Sequence, residues 1–205
     1  MPITNRTFRL LIVYSMNRMK TTEEQLLLIN RAQAGDIQAF AVLFEQYKNL
    51  VYKTAYLVLD DSGEAEDSLQ EVFLLVHKSL SSFDPRKGAF TTWLHRVTLN
   101  YCLTQRNKRK HASLEDISPP PATNFPDAQL AEEGALWQAT RSLSDKQKAV
   151  VILRYYWDLP YAEIAQVLNI PLGTVKSRLD LALKTLRSII EKQESNTSPV
   201  SQTEV

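Results

Sequence analysis

Ser118 is followed by three consecutive prolines, Pro119-Pro120-Pro121. Proline lacks a backbone N–H, and its ring clashes with the carbonyl four residues earlier, so this run cannot lie inside a helix. It sits in a Ser/Pro-rich stretch, residues 112–126, whose composition reads as an extended, flexible linker. Apolar residues recur at helical spacing on both sides of it, and no alternation is long enough to build a sheet. The expectation is an all-α chain of two small helical domains, residues 21–111 and 127–192, joined by that linker. Residues 1–20 read as a disordered N-terminal extension and residues 193–205 as a disordered tail.

Local signals place the helices. Asp36 is a helix N-cap, and Phe40, Leu43, Phe44, Tyr47, Leu50 and Val51 form one apolar stripe after it. A second helix is expected over residues 63–80. Leu69, Val72, Phe73, Val76 and Leu80 form its apolar side, and Glu64, Glu66, Asp67, Gln70 and Glu71 its polar side. A third begins near Phe90, carries Trp93, Leu94, Val97 and Tyr101, and ends in the basic run Arg106-Asn107-Lys108-Arg109-Lys110. In the second domain, Ser144-Asp145-Lys146-Gln147 is a capping box. Pro160 starts a short helix over residues 161–168, and Asn169 suits a left-handed turn. Pro171-Leu172-Gly173-Thr174 opens a last helix that reaches about Glu191. Two helices split by so tight a turn make a helix-turn-helix.

Composition removes several function classes. The single cysteine, Cys102, excludes an intrachain disulfide framework and a cysteine-based zinc cluster. The three histidines, His77, His95 and His111, have no metal-ligand spacing, and none of the five glycines belongs to a phosphate-cradling loop. No cofactor is expected, and no nucleophile, base and oxyanion set suggests an enzyme. Leu10-Leu11-Ile12-Val13 is too short for a membrane span or a signal-peptide core, so the expected location is the cytoplasm, without membrane insertion.

Lys plus Arg number 24 and Asp plus Glu 23, a net charge of +1. The balance conceals segregation. Residues 60–71 carry Asp60, Asp61, Glu64, Glu66, Asp67 and Glu71 without a cation. Residues 85–112 carry Arg86, Lys87, Arg96, Arg106, Lys108, Arg109 and Lys110 without an acid. The next stretch, to residue 140, holds acids only, and the last helix has Lys176, Arg178, Lys184 and Arg187 against Asp180 before Glu191. Two basic segments with an acidic one between them suggest two contacts with a polyanion. Phe83, Phe90 and Trp93 read as exposed aromatics beside the first basic segment, a combination that holds unpaired bases, although Trp93, Val97 and Tyr101 also share core spacing.

Three segments together resemble the sigma-70-type RNA polymerase sigma factors. Gly63-Glu64-Ala65-Glu66-Asp67-Ser68-Leu69-Gln70-Glu71-Val72-Phe73 resembles the polymerase-docking motif, and Phe90-Thr91-Thr92-Trp93-Leu94-His95-Arg96-Val97-Thr98-Leu99-Asn100 the promoter-melting motif. Tyr161-Ala162-Glu163-Ile164-Ala165-Gln166-Val167-Leu168 with Gly173-Thr174-Val175-Lys176-Ser177-Arg178-Leu179 resembles the C-terminal promoter-binding motif. With only these two domains, the chain resembles the small extracytoplasmic-function (ECF) subgroup.

The resemblance implies a role for each block. Glu66, Asp67, Gln70 and Glu71 would dock on the clamp helices of the largest polymerase subunit, and the second domain on the flap of the second-largest. Phe83, Phe90, Trp93, Arg96 and Asn100 would hold a base flipped from the -10 element, with Arg106, Lys108, Arg109 and Lys110 on phosphates. Gly173, Thr174, Lys176, Ser177 and Arg178 would meet the -35 element in the major groove. An anti-sigma factor is an implied partner, and the holoenzyme would sit on the nucleoid. Asp180 and Leu181 depart from the basic or aromatic residues the family often places there; an Asp near phosphate repels unless it accepts from a cytosine amino group. Two other readings use the same helices: a mimic that titrates an anti-sigma factor, and a standalone helix-turn-helix regulator. The aromatics and the basic run favour the sigma factor, because a mimic needs neither and a regulator has no use for the acidic helix.

Overall fold

A computed structural model of the chain describes residues 22–112 and 139–197. The expected linker lies outside the described residues, as do the N-terminal extension and the last eight residues. The described residues are helical, without strands.

The first domain has four helices. α1 (Glu23–Gln33) opens on a capping box in which Thr22 Oγ1 accepts from Gln25 N–H and the Gln25 side chain accepts from Thr22 N–H. α2 (Ile37–Leu59) starts where Asp36 accepts from the N–H groups of Gln38 and Ala39, both at 3.0 Å. It ends at Asp60, a non-glycine residue in the left-handed region at φ 62°. Asp61 caps α3 (Ser62–Ser79) by accepting from Glu64 N–H at 2.8 Å. A 3-10 turn, Leu80–Ser82, leads through a loop to α4 (Phe90–Ala112). Val51, Ala55 and Leu57 of α2 pack with Val72 and Val76 of α3 and Leu94, Leu99 and Cys102 of α4. Each large aliphatic side chain so buried contributes roughly 1.5–3 kcal/mol relative to exposure.

The second domain starts from the Ser144 capping box, whose hydroxyl accepts from Gln147 N–H. α5 (Asp145–Val151) passes into a π turn, Ile152–Tyr156, closed by Trp157 N–H on the Ile152 carbonyl. This wider turn was not foreseen from spacing, which separates α and π ladders poorly over five residues. α6 (Tyr161–Leu168) ends at Asn169, left-handed at φ 51°, and α7 (Leu172–Thr197) follows after one turn. α7 runs past the expected end near Glu191, into residues expected to be a disordered tail. Ile164 and Val167 of α6 close on Val175, Leu179, Ala182 and Leu186 of α7, with Ile152, Leu153 and Leu159 beneath them.

The two domains meet along α4. Its first half packs on α6 and its basic end meets α5.

Candidate nucleic-acid interface

α4 turns about 100° per residue, so Trp93, Arg96, Asn100 and Lys108 lie within one face of it. Asn100 and Lys108 are exposed and Trp93 is half-buried. Beneath Trp93 stand the other two aromatics of the expected cluster. Phe83 and Phe90 lie 5.8 and 5.5 Å from its ring centre, and 5.3 Å from each other. They are not exposed: 6% and 2% of their surfaces remain accessible. The expectation of three exposed aromatics is thus corrected, since Phe83 and Phe90 are core residues that brace Trp93. Phe83, in the loop before α4, has no helical period from which burial could be read; Phe90 opens α4, and its spacing to Leu94, Val97 and Tyr101 is the signal of its burial.

The basic run divides in the same way. Arg106 and Arg109 point away from the Asn100 face toward the C-terminal end of α2, where helical carbonyls lack intrahelical partners. Arg106 donates to the Val58 carbonyl, and Arg109 to the Leu59 carbonyl at 3.3 Å and to Glu64 at 2.6 Å. Cations at a helix C-terminus are favourable for both hydrogen bonding and the helix dipole. Arg106 also stands 3.2 Å from Asp60 Oδ2 and 2.8 Å from Asp145 Oδ1, and Lys110 lies 2.7 Å from the other Asp145 oxygen. Of the four expected phosphate contacts, Lys108 alone is exposed on the Asn100 face; the others are engaged within the protein.

Arg96, another expected contact, is engaged too. Its guanidinium donates to the Gln166 carbonyl at 2.5 Å and the Val167 carbonyl at 3.3 Å, capping the end of α6. Between the domains lies a cavity of about 760 Å³, walled by Lys87, Trp93 and Arg96 on one side and Gln166, Asn169 and Pro171 on the other. Just behind Trp93, His95 is fully buried, with its ring 5.0 Å from that of Trp157 in the second domain. Among the described residues neither ring nitrogen has a hydrogen-bond partner, and burial pulls its pKa down to about 3, so the imidazole is neutral.

α7 presents a second basic face. Gly173, Lys176 and Ser177 are exposed at its start, with Thr174 and Arg178 half-buried at the flank. The same face continues through Asp180, Leu181 and Lys184; Asp180 pairs with Lys184 at 2.8 Å, and Leu181 is 56% exposed. The opposite stripe, Val175, Leu179, Ala182 and Leu186, holds the helix to its domain. This is the geometry of a helix free to enter a major groove by its N-terminal turns.

α3 carries the acidic surface. Glu66, Asp67, Gln70 and Glu71 are all exposed along one side. Leu74 and Leu75 extend that side, at 53% and 39% exposure, and sequence reasoning missed them. The available signal was an excess of apolar residues: Leu69, Val72, Phe73 and Val76 already complete the inward stripe. An apolar strip flanked by carboxylates suits a partner with basic and apolar side chains.

Among the described residues no group of three or more His, Cys, Asp or Glu could hold a metal ion. None of the described helices is long and apolar enough to cross a membrane.

Comparison with known proteins identifies the family of both domains. Residues 43–112 match the Sigma-70 region 2 family and residues 133–186 the Sigma-70, region 4 family. The ECF RNA polymerase sigma factor SigW of Bacillus subtilis is 31% identical over 176 residues, covering 78% of this chain and 92% of that protein. The ECF RNA polymerase sigma factor SigK of Mycobacterium sp. (strain KMS) is 31% identical over 181 residues, covering 83% and 92%. The fold is similar to that of the sigma factor RpoE solved with the anti-sigma factor NepR from Bartonella quintana. The TM-score is 0.59 at 19% identity, over 74% of this chain and 96% of that one.

Proposed function

The chain belongs to the ECF group of sigma-70-type RNA polymerase sigma factors, which direct core polymerase to promoters and promote melting, and from that premise we propose how its surfaces divide the work. The acidic side of α3, Glu66, Asp67, Gln70 and Glu71 with Leu74 and Leu75, docks on the clamp helices of the largest subunit. Carboxylates steer association with a basic surface, and the two leucines supply apolar area that is dry only in the complex. The α7 face around Lys176 and Ser177 reads the -35 element, and its domain leans on the flap of the second-largest subunit.

The α4 face captures the melted -10 strand. Trp93 offers a ring on which a base stacks, Asn100 an amide that pairs with a base edge, and Lys108 a cation for the phosphates. The buried pair Phe83 and Phe90 acts from behind, holding the Trp93 ring in place. The observation that carries this reading is the joint exposure of an aromatic, an amide and a cation on one face of a helix whose other faces are packed. An anti-sigma factor is the proposed regulatory partner, and the cytoplasm, on polymerase, the proposed location.

Run-off transcription with purified core polymerase tests the assignment. New promoter-dependent transcripts are expected only when this chain is added, and Asn100→Ala and Lys176→Ala should each reduce them. Core polymerase that gains no promoter selectivity from any genomic template would overturn the reading in favour of a mimic.

A further inference from the structure

Two residues on the exposed face of α7 do nothing for its packing. At about 100° per residue, Gly173, Ser177, Asp180 and Lys184 follow one line along the outer edge of the helix, opposite the packed stripe of Val175, Leu179, Ala182 and Leu186. Lys176 flanks that line on one side and Leu181 on the other. Asp180 puts an acid on a surface that would approach phosphates. Leu181 puts an apolar side chain there, 56% exposed to water. The ion pair of Asp180 with Lys184, at 2.8 Å, is largely exposed, and such a pair adds little to stability. What these two side chains can do for DNA follows from the chemistry of the groove.

From Lys176 to Leu181 the helix advances about 7.5 Å, or roughly two base-pair steps, so these side chains face one short stretch of sequence. On the major-groove edge guanine presents acceptors only, and thymine an acceptor and a methyl group. A carboxylate is repelled by both. Cytosine and adenine each present an amino donor, but adenine sets its N7 acceptor beside that donor. An aspartate therefore favours cytosine. An ionised carboxylate has two accepting oxygens, so Asp180 keeps Lys184 on Oδ2 while Oδ1 accepts from a base. Lys184 offsets the charge that would otherwise repel the DNA backbone. Leu181 has no polar atom to offer, and the apolar group in the groove is the thymine methyl.

We propose that Asp180 and Leu181 set the -35 preference of this chain: Asp180 accepts from the N4 amino group of a cytosine, and Leu181 packs on the C5 methyl of a thymine beside it. The inference rests on the proposed docking of α7 in the major groove, where Lys176 and Ser177 make their contacts one turn earlier. The acid works mainly by exclusion. Opposite the wrong base, the Asp180 carboxylate is taken out of water without a donor, which costs more than a matched contact returns. Affinity for every sequence is lowered, and discrimination between sequences is raised.

The test uses holoenzyme reconstituted from the full chain and core polymerase, on a promoter found by run-off transcription and then randomised across its -35 region. The wild-type chain is expected to enrich a site with adjacent cytosine and thymine. Any other base in place of that cytosine should weaken binding about tenfold, and Asp180→Ala should bring the four bases to within about twofold of each other. Asp180→Asn should move the preference from cytosine to adenine, because an amide pairs with adenine N6 and N7 together. Uracil in place of the thymine removes the methyl alone, and should cost the wild-type chain about fourfold and Leu181→Ala nothing. Both residues lie outside the packed stripe, so the variants should melt with the wild type. An Asp180→Ala chain that binds every duplex more tightly, yet keeps the cytosine preference, would overturn the base contact and leave an acid that only repels phosphate. Equal tolerance of uracil by both chains would overturn the methyl contact. A chain that transcribes from a -35 site without cytosine refutes this inference alone. One that yields no promoter at all refutes the functional reading beneath it.

Discussion

The basic end of α4 and the start of α7 look alike in sequence and differ in the folded protein. Both place several cations on one helix within a turn or two of each other. In α4, Arg106 and Arg109 point at the carbonyl end of α2 and at carboxylates, and they are occupied. In α7, Lys176 is exposed, with no acid of the neighbouring helix beneath it to claim it. A cation in a sequence is therefore not yet a cation available to DNA. What decides is whether the fold brings an unsatisfied acceptor within reach, and the end of a packed helix is the richest source of such acceptors.

The comparison can be broken most sharply at Arg106. Arg106→Ala leaves Asp60, Asp145 and the Val58 carbonyl short of a partner, and removing one member of a buried pair costs about 3–5 kcal/mol. Chemical unfolding should show that loss, with a far smaller change in Lys176→Ala; equal stability of the two variants would erase the distinction. His95 gives the next largest effect. It is held neutral with a pKa near 3, whereas an exposed imidazole titrates near 6.5. The opened or unfolded chain therefore binds the extra proton. The stability that His95 contributes is complete above pH 6.5 and is lost as pH falls toward 3, by about 2 kcal/mol at pH 5. Subtracting the unfolding profile of His95→Phe should remove that slope, and identical slopes would show that the ring is not held as described.

Two smaller effects sharpen the contrast on the DNA side. Lys176→Ala should weaken binding to a -35 duplex by roughly 1–2 kcal/mol, close to tenfold, with unchanged melting temperature. Fluorescence anisotropy reads this, and undiminished affinity would take α7 out of contact. Lys108→Ala should lower the log-log salt slope of holoenzyme binding by about one. If Arg109→Ala lowers it as much, Arg109 leaves Glu64 for the phosphates in the complex, and the division of the basic run belongs to the free protein alone.

Much of the fold was legible because its signals are local. Asp36 and Ser144 cap their helices as expected, and Asn169 takes the left-handed turn, since each needs only its own neighbours. The inward stripe of α7 followed from spacing. Phe83 lies outside any periodic segment, so nothing in the sequence says which way a loop aromatic turns, whereas Phe90 opens α4 at core spacing with Leu94 and Val97, a signal of burial that its place beside the basic segment obscured. Arg106 was misjudged for a related reason: its partners are 46 and 39 residues away, on other helices. Leu74 and Leu75 lay in plain view but read as surplus core, because a stripe does not announce how many residues it can bury.

The sequence by itself determined that this chain is helical, that it has two basic segments and an acidic one, and that three motifs of one family stand in order along it. These are properties of residue type and spacing, which persist in any arrangement of the helices. Only the tertiary structure decided which cations remain exposed, which aromatics are buried and which one stays half-exposed, and that α4 is shared between its own domain and the next. Those outcomes depend on acceptors, rings and carboxylates that meet only when distant segments pack, and the strength of each pairing is set by the burial that packing creates.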